Sequence, residues 1–344
     1  MTNKAFVRLL VLLPLLMIAA AGVYLFTRSS PESPSVPAEV SLSSKPQALV
    51  PERVLSPVLS FDREKIWFMT EEGKLFRKHI EGSDPPEEYP LSAVIQNPEG
   101  VLWPTDSKDF IVVSTLDGHS RYLFFDATSS TLAPYPPTLR SPQFLPGGNK
   151  IVYDWVTQAT HELKVSDARG TNFTKIADLF RPDYELLASP VKQEVALWTR
   201  DLKNPSKLLV VDLFTGKFRA LGTNAGYQGV SFSPDGTKLL AAKLGDASGG
   251  PPRLVLFDLL TSQARDLSLT AEIERTAWQE DGQALLVGSP AGFIKYQVDN
   301  QEQEEIYKFG ESEAYSPQNL ILHPQKPLLF FVDQKTGYLY RLEL

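Results

Sequence analysis

Seven times along this chain a short apolar run closes, a turn follows, and a second apolar run begins, at intervals of 42 to 46 residues. The residues that close the first run are Leu59, Leu102, Phe144, Ala188, Phe232, Trp278 and Leu322. The clearest unit is Gly229 to Lys243, where Ser233-Pro234-Asp235-Gly236 separates two hydrophobic stretches, a strong hairpin signal. Asp281-Gly282, Pro146-Gly147-Gly148, Ser189-Pro190, Phe61-Asp62, Asp106 and Pro324 punctuate the other six units at the same point. A repeat of this length cannot bury its own apolar face and must stack on its neighbours. A helical repeat would need 3.6-residue periodicity in every unit. Tyr184 to Leu187 and Thr270 to Gln279 have helix-compatible composition, but both fall where their unit requires a first strand.

Strand repeats with a period of 40–50 residues predict the blades of a β-propeller. The fold class read from the sequence is therefore all-β, a seven-bladed β-propeller over residues 47–344. A second marker supports it. In five units a third apolar run ends in aspartate (Asp126, Asp167, Asp212, Asp258 and Asp299). A carboxylate there starts a turn by accepting backbone amides ahead of it, a structural role. The second run of each unit, sandwiched between blades, should be apolar almost continuously, as Phe110 to Val113 and Leu328 to Val332 are. The last unit lacks an outer strand, and Gln47 to Val54 is the segment expected to supply it.

The first 28 residues are a different material. Leu9 to Phe26 is an uncharged apolar run of 18 residues, preceded by Lys4 and Arg8. It is long enough for a single transmembrane helix, and the positive-inside bias puts the N-terminus in the cytoplasm. The competing reading is a cleaved signal peptide ending near Ala19-Ala20-Ala21. Residues 29–46 are mostly serine and proline and are expected to form an extended tether. The first 28 residues hold three of the 34 basic residues and none of the 41 acidic ones, so the remainder carries a net charge of −10. The expectation is a single-pass protein of the cytoplasmic membrane, of bacterial type, with an acidic extracytoplasmic propeller. That charge argues against nucleic acid as a partner.

The stretch Phe232-Ser233-Pro234-Asp235-Gly236-Thr237-Lys238-Leu239-Leu240 resembles the repeat signature of TolB-type, WD40-like propellers, also met in the propeller domains of prolyl oligopeptidase-type peptidases. The resemblance covers residues 50–344 by period, with one close motif match and a partial one at Asp281-Gly282. It implies architecture. TolB itself carries an α/β domain before six blades, whereas this chain has seven units and no room for that domain, so a TolB role does not carry over. The hydrolase domain of the peptidases is absent too.

Chemistry is sparse. There is no cysteine, so disulfides, thiolate metal sites and a cysteine nucleophile are excluded. No serine-elbow or zinc-protease motif occurs. The four histidines, His79, His119, His161 and His323, fall at unrelated positions of different units. His119 and His161 are read as solvated residues of second-to-third-strand connections. No cofactor and no metal site is expected. The segments leading into the innermost strands do carry a pattern: Asp183 and Glu185, Glu272 and Glu274, Glu311 and Glu313, each at i, i+2 spacing on one side of an extended chain, with Tyr184, Tyr227 and Tyr315 among them. Read functionally, this is an acidic, aromatic-studded face for a basic protein or peptide, a cation or an envelope polymer. Read structurally, it is solvated loop charge. The leading expectation is a binding or scaffolding module. The alternatives are a hydrolase- or lyase-type enzyme with its site in the central channel, and a purely structural partner in an envelope complex.

Overall fold

The computed structural model describes residues 45–105, 107–245, 250–310 and 313–344. The segment expected to span a membrane, nearly all of the expected tether, Asp106, residues 246–249 of the Gly245 to Pro252 connection, and Glu311 lie outside the described residues. Among the described residues no helix is long and apolar enough to cross a membrane. They form seven four-stranded antiparallel sheets and one 3-10 turn, Ile273–Arg275.

The innermost strands of blades 1 to 7 are Val54–Leu59, Pro98–Leu102, Leu139–Phe144, Glu185–Ala188, Tyr227–Phe232, Thr276–Trp278 and Pro317–Leu322. Each is followed outward by the next three strands in chain order, except in blade 7. There the outer edge is Gln47–Val50, paired antiparallel with Leu339–Glu343. The two ends of the described chain thus share one sheet, as the incomplete last repeat requires. Of the two segments with helix-compatible composition, Glu185–Ala188 is a strand. The second breaks into the Ile273–Arg275 turn and the strand Thr276–Trp278.

The seven repeat markers share one structural position. Leu59, Leu102, Phe144, Ala188, Phe232, Trp278 and Leu322 pair with Ile66, Ile111, Ile151, Val195, Leu239, Leu285 and Leu329 of the second strands. Those seven partners are all 0% exposed. Burying a side chain of this size is worth about 1.5–3 kcal/mol. The second strand is apolar throughout because both of its faces are buried. In blade 5, Leu239 and Ala241 pack toward blade 4, while Leu240 and Ala242 pack toward blade 6. Seven hydrophobic clusters result, one for each pair of adjacent blades, including the pair that closes the ring.

The third-strand aspartates do as expected in four of five cases. Asp126, Asp167, Asp212 and Asp258 each accept two backbone amides of the turn ahead. Asp299 is the exception. It stands two residues beyond the end of Gly292–Gln297, too far along the turn to close it, and Asn300 accepts the Glu302 amide there instead. The first-to-second-strand turns use a hydroxyl or imidazole in the same way. The Ser233 hydroxyl oxygen accepts the Lys238 amide at 2.9 Å, and His323 Nδ1 accepts the amides of Gln325 and Lys326.

Candidate functional site: the upper mouth of the ring

The segments leading into the innermost strands and the connections between second and third strands lie on one face of the ring, here called the upper face. The innermost-strand residues paired three positions beyond each marker's partner on the second strand set its inner rim. By register these are Leu55, Pro98, Arg140, Glu185, Gly229 and Gln318 in blades 1 to 5 and 7. Blade 6 contributes the Ile273–Arg275 turn at this height. The rim is apolar at blades 1 and 2, bare backbone at Gly229 of blade 5, and polar or charged at blades 3, 4, 6 and 7.

The structure disperses much of the acidic pattern. Asp183 is clamped by Arg181, whose Nε and Nη2 donate at 2.8 and 2.7 Å, and this holds its carboxyl below the usual range. Glu272 accepts from Arg275 Nε at 3.1 Å. Glu313 accepts the Gly310 amide and lies 3.5 Å from Lys45 Nζ. Glu185 pairs with Arg200, with Nε 2.6 Å away. The three tyrosines do not stud the face, because strand alternation turns them into the blade interfaces. Tyr184 lies in the cluster between blades 3 and 4, and Tyr227 in that between blades 4 and 5. Tyr315 stacks among Phe309, Phe331 and Tyr340.

Two carboxylates do come together. Glu185 of blade 4 and Glu274 of blade 6 approach across the narrow rim of blade 5. Burial pushes the Glu185 carboxyl up, Arg200 pulls it down, and the negative charge of Glu274 adds to the rise. Gln228 lies at a one-residue bulge in the first strand of blade 5 and reaches Glu274. Its amide nitrogen donates to Glu274 at 2.5 Å and its oxygen accepts the Ile273 amide at 2.9 Å, which fixes the turn that presents Glu274. Glu274 has no cationic partner within salt-bridge distance among the described residues. The mouth can therefore present a carboxylate on a fixed support to an incoming positive charge.

A third acid lay outside the sequence pattern. Asp154, at the top of the second strand of blade 3, is 1% exposed. Its Oδ1 has no hydrogen-bond partner, and its Oδ2 is 3.9 Å from His161 Nδ1, which is unpartnered as well. Burial pushes this carboxyl up to about 7, against the pull of Arg140, its cross-strand neighbour on the rim. His161 opens the third strand with a buried ring nitrogen, rather than standing in solvent. The register position of Asp154 is taken by Met69, Ser114, Trp198, Ala242 and Val332 in five other blades. The sequence signal was the aspartate interrupting Ile151-Val152-Tyr153, legible only once the register between blades was known.

No protein-family model matches the chain, and no curated protein matches its sequence. Solved structures do. An oligogalacturonate lyase in complex with manganese superposes with a TM-score of 0.61 at 12% identity, covering 88% of this chain and 95% of that one. An oligogalacturonate lyase from Vibrio parahaemolyticus gives a TM-score of 0.60 at 10% identity, covering 88% of this chain and 90% of that one. Among the described residues, no three or more His, Cys, Asp or Glu side chains gather so that they could hold a metal ion. At such identities the likeness is one of fold: the chain is an all-β, seven-bladed propeller similar in architecture to those lyases.

Proposed function

We propose that this chain is a membrane-tethered, extracytoplasmic binding module of TolB-like repeat type, whose upper mouth receives a cationic group of a protein, peptide or envelope polymer. The observation that carries the reading is Glu274, fixed by Gln228 and without a cationic partner among the described residues, with its charge felt at Glu185. The apolar run Leu9 to Phe26 and the Lys4/Arg8 bias support the tether and its orientation. Of the described carboxylates in the pattern, Glu274 alone lacks a cationic partner within salt-bridge distance: Asp183, Glu185 and Glu272 each hold an arginine and Glu313 lies beside Lys45. Electrostatic attraction of this kind acts mainly on the association rate and is screened by salt. An oligolysine probe titrated onto the protein should bind at low salt and weaken as salt rises. Glu185→Gln combined with Glu274→Gln should slow association several-fold without lowering the melting temperature. Equal rates for the two proteins would end the mouth reading. Protease added to intact spheroplasts should degrade the propeller, and protection would reverse the orientation.

A second reading, an enzyme of the channel mouth, is favoured by Asp154. A carboxyl titrating near neutrality behind a rim arginine is suited to abstract a proton. The test is to incubate the protein with oligogalacturonate and follow unsaturated product by ultraviolet absorbance. Turnover lost in Asp154→Asn would support it, and no turnover by the parent protein would dismiss it for this substrate.

A further inference from the structure

On the opposite, lower face a cleft of about 400 Å³ opens between blades 1 and 2. Its walls are aromatic. Trp67 meets Tyr89 edge-on, with ring centroids 5.1 Å apart, and Trp103 at 6.4 Å. Trp103 is locked in place, since its indole N–H donates to the Ser56 carbonyl at 2.8 Å. Phe61, in the turn between the first two strands of blade 1, extends the shelf outward and is 86% exposed. The position of Trp67 is filled by Val112, Val152, Ala196, Leu240, Leu286 and Phe330 in the other blades, one residue past the buried partner of each marker. Only blade 1 places a tryptophan at this position.

Polar groups in the cleft are left over. Among the described residues the Trp67 indole N–H and the Tyr89 hydroxyl make no hydrogen bond, and neither is sealed from solvent. Lys65 from blade 1 and Lys108 from blade 2 line the cleft, and neither has a carboxylate within salt-bridge distance among the described residues. Arg77 lies over the Trp67 ring at 5.7 Å and is held there by Glu87 at 2.8 Å. Asp62, also lining the cleft, is occupied by the Ser60 hydroxyl and the Glu64 amide. The described lining of the cleft thus offers tilted aromatic rings, two free donors, and three cations, Lys65, Arg77 and Lys108, against the one carboxylate of Asp62.

We propose that this cleft binds an extended, proline-containing peptide segment bearing acidic side chains. A polyproline II strand has no internal hydrogen bonds, so its carbonyls are free for donors such as Trp67 and Tyr89, and its pyrrolidine rings pack on aromatic faces. It loses little conformational entropy on docking, which suits a shallow site. Lys65 and Lys108 select acidic neighbours along the strand. Two free donors on separate rings match successive carbonyls better than the single carboxylate of a small ring acid. The site stands on turns remote from the mouth and does not depend on the reading given for it.

The test uses the full chain and a short blocked peptide of prolines and glutamates, followed by tryptophan fluorescence and calorimetry. The expected result is saturable binding, weakened about tenfold or more at low salt by Lys65→Glu with Lys108→Glu and several-fold by Phe61→Ala. Phe61 and Lys108 are exposed and Lys65 is half-buried at a strand end, so the variants should melt within a few degrees of the parent protein. A control peptide with glycine in place of proline should bind about tenfold more weakly. Absence of peptide binding, equal binding of the glycine control, or displacement of the peptide by benzoate at comparable concentration would each overturn the assignment. The last outcome would mark a pocket for small ring acids instead.

Discussion

Asp154 is the residue whose environment differs most from that of its counterparts in other blades. Its carboxyl titrates near 7 when folded and near 4 in an unfolded chain, because burial disfavours the ionised form. The folded state therefore binds the extra proton. The destabilisation is absent below about pH 4, grows as pH rises through the folded value, and is constant above it. Three pH units correspond to about 4 kcal/mol. Asp154→Asn should have little effect on stability at pH 4 and raise it by about 2–4 kcal/mol at pH 8. Urea unfolding at the two pH values checks this, and a pH-independent difference would show that Asp154 titrates normally. The arginines of the upper face act at the same scale. Because Arg275 is engaged by Glu272, deleting that acid leaves the arginine without a carboxylate, whereas Arg181 would lose Asp183 but keep Asp201, 4.0 Å away.

Turns govern the behaviour of each blade. In the second-to-third-strand turn of blade 1, Gly73 has φ +75° and its amide donates to the Thr70 carbonyl. A Cβ on Gly73 would stand 2.1 Å from the Ile95 carbonyl oxygen, on the connection into blade 2. Gly82 also has positive φ, +101°, but nothing lies within 4 Å of its would-be Cβ. Gly82→Ala should therefore cost only the backbone penalty of about 1 kcal/mol, while Gly73→Ala should cost about 2–4 kcal/mol by forcing two blades apart. Thermal melts of the two variants separate conformational strain from collision, and equal losses would refute the clash. Bulges matter at this scale too. In blades 1, 3 and 7, Ser56, Ser141 and Asn319 adopt positive φ where two residues oppose one, so the upper end of each innermost strand changes face relative to the lower end.

Stability of the whole molecule depends on closing the ring. Gln47–Val50 covers the edge of Leu339–Glu343, and Val50 is buried in the cluster between blades 7 and 1. A chain beginning at Pro51 loses the outer strand of blade 7 and exposes an unpaired edge, which invites association with other edges. It should melt lower and aggregate more than a chain beginning at Lys45. Identical melting and solubility would show that blade 7 needs only three strands. The two proposed sites lie on opposite faces of this ring, so variants of one should leave the other's binding unchanged.

The amino-acid sequence by itself determined the repeat, the blade count and the closing segment. These follow from local chemistry: a buried second strand must be apolar on both faces, and its turn must carry residues that satisfy bare amides, so both recur with the period. Asp183, Glu272, Glu274 and Glu313 do lie in segments leading into the innermost strands, Glu185 is the first residue of one, and Glu311 lies outside the described residues. The sequence did not determine what those carboxylates meet. Arg181 and Asp183 are near neighbours in the chain. Glu185 and Arg200, by contrast, join across a strand pair, and Glu185 and Glu274 join across a whole blade. Trp67 and Trp103 belong to different blades, and Asp154 became exceptional only against its register equivalents. Hydrophobic patterning has a period and is visible along one chain. The partners of a charge or an aromatic ring are set by which blades touch and at what height, and that was decided only when the ring closed.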